Sequence, residues 1–119
     1  MSRAPDVVID CHIDDVFAFV ADLTHAPRWM AGVVSAEQIA GDGPGLGAMY
    51  DVARRIRGRQ RRAAMVCVEW DPPRRIAWRA EEAEVRYEFE SVWTATRVIA
   101  LSGTSRDLRG LCRVLEGRR

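Results

Sequence analysis

The segment EVRYEFESV, residues 84–92, alternates apolar and charged side chains more regularly than any other part of the chain. In an extended strand, Val85, Tyr87 and Phe89 would face one side and the charged residues between them would face the other. Such strands are typical of antiparallel sheets that bury one face and leave the other in water. A chain with this sheet needs a second layer, such as a helix, to cover the apolar face.

Period-two alternation also predicts a first strand over residues 6–13, and two short helices are expected after it. Asp14 is expected to cap the first helix, because its carboxylate can accept hydrogen bonds from the free backbone N–H groups at a helix start. Thr24 is expected to cap the second helix, and Gly32 is expected to end it.

A run of about six strands is expected to follow these helices. Gly58 marks the turn of one hairpin, and Pro72 with Pro73 marks a break, because consecutive prolines cannot lie within a central strand. The expected strands cover residues 33–41, the two arms of a hairpin within 48–70, and then 74–80, 84–92 and 95–103. Short connections between consecutive strands predict an antiparallel meander of about six or seven strands in an α+β fold.

The last 15 residues predict an amphipathic helix of about four turns that covers the sheet. Its apolar stripe recurs at helical spacing and consists of Leu108, Leu111, Cys112 and Leu115. Gly110 should weaken this helix by about 1 kcal/mol relative to alanine. We expect residues 1–119 to form a single domain, because domains of about 100–200 residues are usual.

The segment GDGPGLGAMY raises the question of a phosphate-binding loop, because four glycines fall within seven residues: Gly41, Gly43, Gly45 and Gly47. A P-loop requires a lysine after its last glycine, and this chain contains none. A dinucleotide fingerprint would need glycine at position 46 and a helix after the loop, whereas Leu46 and a strand pattern are found. The loop is therefore interpreted as a tight strand connection that needs positive φ angles.

The composition excludes several classes of site. All 18 basic residues are arginine, so neither a Schiff-base lysine nor a Walker-type lysine is available. Three widely separated cysteines and the lack of an apolar signal segment predict a cytoplasmic protein with no membrane span. Because no spacing matches a zinc site or a nucleophile elbow, we expect no metal, no cofactor and no recognisable catalytic residue. Glu69, if buried on its strand, would be a candidate general base.

Six arginines lie between residues 54 and 62, in the segment RRIRGRQRR. Clustered arginines can neutralise the phosphates of a nucleic acid. However, the formal net charge of the chain is only +1, and the run contains no aromatic side chain that could stack on bases. A solvated hairpin tip is the favoured interpretation, and nucleic acid is not an expected partner.

Four segments, taken in their order and spacing, resemble the START-like or SRPBCC superfamily, and within it the polyketide cyclase/dehydrase group. They are IDDVFAFVADLTHAPRWMAGV, GDGPGLGAMY, VEWDPPRRIAWRA and VRYEFE with TATRV, which lie within residues 6–101. The resemblance implies a helix-grip fold, in which a curved antiparallel sheet wraps around a C-terminal helix. It also implies an apolar cavity for a lipid, sterol, polyketide or hormone-like ligand, with the glycine-rich loop at the cavity rim.

Six residues are candidate ligand contacts in or beside this implied cavity: Trp29, Tyr50, Met65, Trp78, Tyr87 and Phe89. Tyrosine and tryptophan suit such a site because each joins a large apolar body to one polar atom. Ordinary core contacts would explain Trp78 and Phe89 equally well, whereas Tyr50 and Tyr87 favour the cavity because their hydroxyls need partners. A filled core would close the cavity. Arg55 or Arg57 could instead point into the cavity mouth and hold an acidic group.

The favoured function is the binding, sequestration or transfer of a small hydrophobic or amphipathic ligand in this cavity. The resemblance leaves two alternatives open, namely a polyketide aromatase/cyclase and a ribosome-, RNA- or protein-binding role. The expected C-terminal helix is shorter than is usual in the family, which would leave the sheet incompletely covered, and Trp93 beside a turn would be exposed. These two features lead us to expect a homodimer that buries uncovered apolar surface.

Overall fold

The computed structural model describes residues 4–81, 83–102 and 104–117. Seven strands form one antiparallel sheet in the order β1-β7-β6-β5-β4-β3-β2. The strands are β1 (Asp6–Ile9), β2 (Val33–Ala40), β3 (Met49–Ile56), β4 (Arg59–Asp71), β5 (Arg75–Ala80), β6 (Ala83–Val92) and β7 (Ala95–Ala100). The helices are α1 (Ile13–Ala21), a 3₁₀ helix (Leu23–Arg28) and α2 (Ser105–Glu116). The α+β class, the short helices after β1 and the meander from β2 to β7 are confirmed.

Two sequence expectations end on residues that the structure does not describe. Gly103 belonged to the last expected strand, and residues 118–119 belonged to the expected terminal helix. Within the described part of the chain, β7 ends at Ala100 and α2 ends at Glu116.

Both N-terminal helices begin at residues other than those expected. The first strand ends early, at Ile9, so α1 starts at Ile13 and its cap is His12, whose Nδ1 accepts from the Asp14 N–H at 3.2 Å. The 3₁₀ helix is capped by Asp22, whose Oδ1 accepts from the Thr24 N–H at 3.0 Å. The predictions of Asp14 and Thr24 as caps were wrong because each residue lies inside the first turn and donates its backbone N–H to the actual cap.

The core lies between the inner face of the sheet and the two α-helices. Cross-strand neighbours on the inner face include the pairs Tyr50–Met65, Cys67–Trp78, Ile76–Tyr87 and Phe89–Val98. The ring of Phe17 on α1 meets Phe89 edge-on at 5.2 Å between centroids, and Leu108 and Leu111 of α2 are buried. The helix α2 packs mainly against β1, β7 and the 3₁₀ helix, and so covers one part of the sheet.

The outer face of the sheet carries ion pairs, which confirms the expected wet face. The pairs on β5–β7 are Arg75–Glu88 at 3.6 Å, Arg79–Glu84 at 3.3 Å, Arg97–Glu90 at 3.3 Å and Arg86 with both Glu84 and Glu69. Glu69 reaches this face because a bulge between Cys67 and Glu69 shifts the β4 register, so that Glu69 lies opposite Ala77. The hypothesis of Glu69 as a buried base is therefore wrong, since its carboxylate faces outward and pairs with Arg86.

Three hairpin connections place residues other than glycine at positive φ, and one of these residues is Glu81 after β5, with φ of 49°. In the β3–β4 turn, Arg57 has φ of 53° and Gly58 has φ of 80°, which confirms the turn expected at Gly58. Trp93 has φ of 59° in the β6–β7 turn, and its side chain is 98% exposed, as expected.

Gly110 is the point of closest approach between α2 and the chain that follows the 3₁₀ helix. It is buried, and a Cβ atom there would collide with the backbone carbonyl oxygen of Trp29. One turn earlier, Asp107 Oδ1 accepts a hydrogen bond from the Ala31 N–H at 2.8 Å. The glycine that weakens the isolated helix therefore permits the contact that docks it.

We expect Gly110→Ala to destabilise the protein by about 1–3 kcal/mol, because overpacking against a fixed backbone outweighs the better helix propensity of alanine. Urea unfolding would measure the change. The matched control is Arg109→Ala, at an exposed neighbouring position in α2, where a change within about 0.5 kcal/mol is expected. A Gly110→Ala variant that is more stable than the parent would show that α2 does not pack as closely as described.

The two tyrosines of the chain should titrate only at strongly alkaline pH. Burial raises the pKa of Tyr50 to about 12, with the charge of Asp22 adding to the shift, and burial likewise raises the pKa of Tyr87. An unfolded chain ionises tyrosine near pH 10. The contribution of the two buried phenols to the free energy of unfolding is thus complete below about pH 10. The contribution of Tyr50 is lost as the pH rises through about 12.

Near-ultraviolet absorbance of the phenolate would follow this titration in the folded protein and in denaturant. The expected result is a flat signal in the folded protein across the range where the denatured chain ionises. A midpoint near pH 10 with an unchanged circular dichroism spectrum would contradict the burial of both phenols.

Candidate functional site

A cleft of about 570 Å³ lies on the inner face of the sheet, at the end that carries the β3–β4 and β5–β6 turns. It is formed by β3, β4, the end of β5 with Glu81 after it, and the start of β6. The lining residues are Val52, Arg54, Ile56, Arg61, Arg62, Ala63, Met65, Ala80, Glu81, Ala83 and Val85. Several of them, including Ile56 and Arg61, are exposed, so the cleft is open to solvent.

Strand alternation produces the apolar floor of this cleft. On β3, Tyr50 faces the core, so Val52 and then Arg54 follow on the same inner face. Opposite them on β4 lie Met65 and Ala63, which are the cross-strand partners of Tyr50 and Val52. The helix α2 packs mainly on β1, β7 and the 3₁₀ helix, and this part of the inner face is left accessible.

Two arginines stand at the open end of the cleft. Arg54 on β3 and Arg61 on β4 are direct cross-strand partners, and both line the cleft. Arg62 also borders the cleft, but its Nη1 pairs with Asp51 Oδ2 at 2.7 Å on the other face. The suggestion that Arg55 or Arg57 points into the mouth was wrong, because Arg55 alternates to the outer face and Arg57 lies in the turn.

Three buried aromatic residues form one cluster, in which Trp78 and Tyr87 are sheet neighbours of Val85 and none lines the cleft. The ring of Tyr87 meets those of Trp29 and Trp78 edge-on, at centroid distances of 5.8 and 6.3 Å. Trp78 is the cross-strand partner of Val85, and Tyr87 follows Val85 by two residues on the same face. The hydroxyl of Tyr87 and the indole N–H groups of both tryptophans are buried with no hydrogen-bond partner in the described structure.

The electrostatic surroundings of Tyr87 connect this aromatic cluster to α2 and to the cleft. Burial is the main cause of its raised pKa, and the carboxylate of Asp107 on α2 adds to the shift. The positive charge of Arg54 acts in the opposite direction and lowers the pKa of Tyr87.

The candidate ligand contacts predicted from the sequence lie in different parts of the structure. Met65 lines the cleft, whereas Tyr50 is completely buried and its hydroxyl lies beside the backbone of Leu23. Trp29 also lines a cavity of about 240 Å³ next to Gly110. Phe89 lines a third cavity of about 340 Å³ beside α1 and the β4–β5 turn. The described structure thus brings Met65 to the cleft and places Trp78 and Tyr87 directly behind it.

The glycine-rich loop connects β2 and β3 at the start of β3, while the cleft is lined by the second half of that strand. Its four glycines all adopt positive φ, from 84° at Gly47 to 157° at Gly45, as the sequence predicted. The Gly47 N–H donates to the Cys67 carbonyl at 2.9 Å and ties the loop to β4. None of the residues Gly41, Gly43, Gly45 and Gly47 lines the 570 Å³ cleft.

Sequence reasoning missed Arg54 and Arg61 as cleft residues, although the signal was present. Once Tyr50 is assigned to the inner face, period-two alternation places Arg54 there, and the hairpin turn at Gly58 places Arg61 opposite it. The β5–β6 turn, with Glu81 and Ala83 at the cleft wall, had no such signal.

Within residues 4–81, 83–102 and 104–117, no group of three or more histidine, cysteine, aspartate or glutamate side chains could hold a metal ion. The cysteines of the same region are free thiols, and burial raises the pKa of Cys67. No described helix is long and apolar enough to cross a membrane.

Comparisons with known proteins agree with this architecture. A comparison of the sequence with curated proteins found no significant match. Among solved structures, TTHA0849 from Thermus thermophilus aligns over 98% of this chain and 99% of its own, with TM-score 0.76 and 19% identity. DR_A0006 from Deinococcus radiodurans aligns over 96% and 93%, with TM-score 0.74 and 18% identity.

A third similar structure is the di-domain ARO/CYC protein BexL from the BE-7585A biosynthetic pathway. It aligns over 96% of this chain but only 44% of its own length, with TM-score 0.62 and 18% identity. At these identities, the three structures show a shared fold. The family described as polyketide cyclase/dehydrase and lipid transport matches residues 5–115. The chain therefore belongs to the polyketide cyclase/dehydrase and lipid transport family, whose members have the helix-grip fold.

Proposed function

We propose that this protein binds a small hydrophobic or amphipathic molecule in the 570 Å³ cleft on the inner face of β3–β6. The observation that carries this proposal is the apolar floor made by Val52, Ala63, Met65 and Val85, of which Ala63 and Val85 are partly exposed. Its volume lies within the range of about 300–1,000 Å³ that is usual for small-molecule sites. Family membership supports binding of a hydrophobic ligand in general.

The affinity would come mainly from removing apolar surface from water, at roughly 25 cal/mol per Å² before the costs of association. The aliphatic side chains of the floor can contact the apolar part of the ligand. The two arginines at the open end, Arg54 and Arg61, can contact a polar group at one end of it. Such a site suits sequestration or transfer, because a cleft open to solvent lets a ligand enter without unfolding the sheet.

The enzymatic alternative is less well supported by the residues. A tyrosine proton donor should have a pKa near the working pH, whereas burial raises the pKa of Tyr87. The nucleic-acid alternative is also weaker, because strand alternation divides the arginine run between two faces of the sheet. Arg54 and Arg61 face inward, and Arg62 pairs with Asp51.

Ala63→Phe should obstruct the cleft and lower the affinity for the neutral probe N-phenyl-1-naphthylamine by about tenfold or more. The matched control is Ala64→Phe, because Ala64 is the next residue of β4, is exposed and faces the other side of the sheet. Probe fluorescence would measure both affinities, and the control should remain within about twofold of the parent. Equal affinities for the two variants would place the probe elsewhere and overturn the cleft as the site.

Tyr87→Phe should leave the free energy of unfolding of the ligand-free protein unchanged or raise it, because the deleted hydroxyl has no partner among the described residues. The control is Thr96→Val. The Thr96 hydroxyl is equally buried but donates to the Cys11 carbonyl at 2.8 Å, so about 1 kcal/mol should be lost. Denaturant unfolding would compare the two variants. A loss at Tyr87 as large as that at Thr96 would show that its hydroxyl is hydrogen-bonded.

A further inference from the structure

We propose that the ligand of this cleft carries an anionic head group, a carboxylate or phosphate, held between Arg54 and Arg61 with its apolar part on the cleft floor. This inference rests on the proposed function and specifies the chemical class of the ligand. The same head-group chemistry occurs on fatty-acid-like carboxylates and on alkyl phosphates. The experiment below separates these two sources.

The first support is the register of the β3–β4 hairpin. Arg54 and Arg61 lie directly opposite each other on the inner face, two residues from the turn-closing pair Ile56–Arg59. Like charges directly opposite each other on neighbouring strands are destabilising. Two guanidinium groups in this position define a place where an oxyanion would relieve their repulsion and accept hydrogen bonds from both.

The second support is the contrast between inward and outward arginines in the described structure. On the outer face of β5–β7, each of Arg75, Arg79, Arg86 and Arg97 pairs with at least one carboxylate. Among the described residues, neither Arg54 nor Arg61 forms an ion pair. Glu81 is the acidic residue that lines the cleft, and it lies across from them on the β5–β6 turn.

The third support is that Arg54 is held in place. The Arg55 N–H donates to the Gly32 carbonyl at 2.7 Å and fixes this part of β3. The Arg54 side chain passes close to Gly32, since a Cβ atom on that glycine would lie 3.5 Å from Arg54 Cγ. Arg54 is partly buried, and its charge reaches inward far enough to act on Tyr87. A guanidinium restrained at its stem loses less freedom when it binds an anion.

The chemistry of the cleft therefore has two parts. The floor is apolar, from Val52 and Met65 to Val85, and the open end carries two guanidinium groups that can each form bidentate bonds to an oxyanion. A neutral hydrocarbon would contact only the apolar floor, and a small inorganic anion would bind only the two arginines. An anionic amphiphile would make both interactions.

The test compares three ligands with the same ten-carbon chain, namely decanoate, decyl phosphate and decanol, by isothermal titration calorimetry below their aggregation concentrations. The parent protein should bind at least one of the anions about tenfold or more tightly than decanol, as expected for charge-assisted hydrogen bonds. The better of the two anions identifies the head group. Added salt should weaken binding of the anion and leave that of decanol nearly unchanged.

Arg54→Gln and Arg61→Gln should each remove most of this preference while leaving the affinity for decanol within about twofold. Arg55→Gln is the matched control, because it removes a charge from the adjacent, outward-facing position of β3. Thermal unfolding would verify that all three variants fold, and the two inward variants should be at least as stable as the parent because a repulsion is removed.

Equal affinities for decanol and both anions, or an anion preference that Arg55→Gln removes as strongly as Arg54→Gln, would overturn the anionic head group. In the first case, binding of decanol would leave the proposed hydrophobic site intact. If the parent binds none of the three ligands and also excludes N-phenyl-1-naphthylamine, both the proposed function and this inference are overturned.

Discussion

The contact of α2 with the chain segment 29–32 is the interaction on which the rest of the structure depends. Gly110 lets the helix backbone approach the Trp29 carbonyl, and Asp107 accepts a hydrogen bond from the Ala31 N–H. On the other side of this segment, the Gly32 carbonyl accepts from Arg55 on β3. One short stretch thus links the C-terminal helix to the strand that forms one wall of the cleft. A movement of α2 would be transmitted to Trp29, which packs against Tyr87, and to the backbone beside Arg54.

Where α2 docks determines which part of the sheet stays accessible. A helix of 12 residues rises about 18 Å, at 1.5 Å per residue, and covers only part of a seven-stranded sheet. Because it is anchored beside β1 and β7, the inner face of β3–β5 near the hairpin turns forms the floor of the cleft. The core beneath α2 contains the apolar Leu108 and Leu111 together with the buried carboxylate of Asp107. The region beyond it combines aliphatic side chains and arginines.

The sequence was sufficient to predict the elements whose signals are local. The alternation in residues 84–92, the turn at Gly58 and the break at Pro72–Pro73 predicted the meander from β2 to β7, because period-two patterns and turn residues act over a few positions. The pairing of β1 with β7 is a long-range contact that no local signal predicted. The sequence did not determine which face Glu69 occupies, because one bulge reverses the alternation of β4, and a bulge depends on the neighbouring strand. From the sequence, Gly110 was expected only to weaken the helix. Glycine is needed there because the backbone of Trp29, a residue far away in the sequence, leaves no room for a Cβ atom. The cleft itself depends on how α2 sits on the sheet, which no local pattern encodes.

The arginines of the segment RRIRGRQRR lie in two different environments. In RRIRGRQRR, alternate residues face opposite sides of a hairpin, so identical side chains meet different surroundings. The outward-facing Arg62 forms an ion pair with Asp51. Exposed ion pairs of this kind contribute about 0–1 kcal/mol to the free energy of unfolding. Inward Arg54 and Arg61 are direct cross-strand partners, and neither forms an ion pair among the described residues. Like charges in this arrangement disfavour the hairpin where nothing neutralises them. The proposed anionic ligand would supply that neutralisation, so its affinity and the local repulsion would share one physical cause.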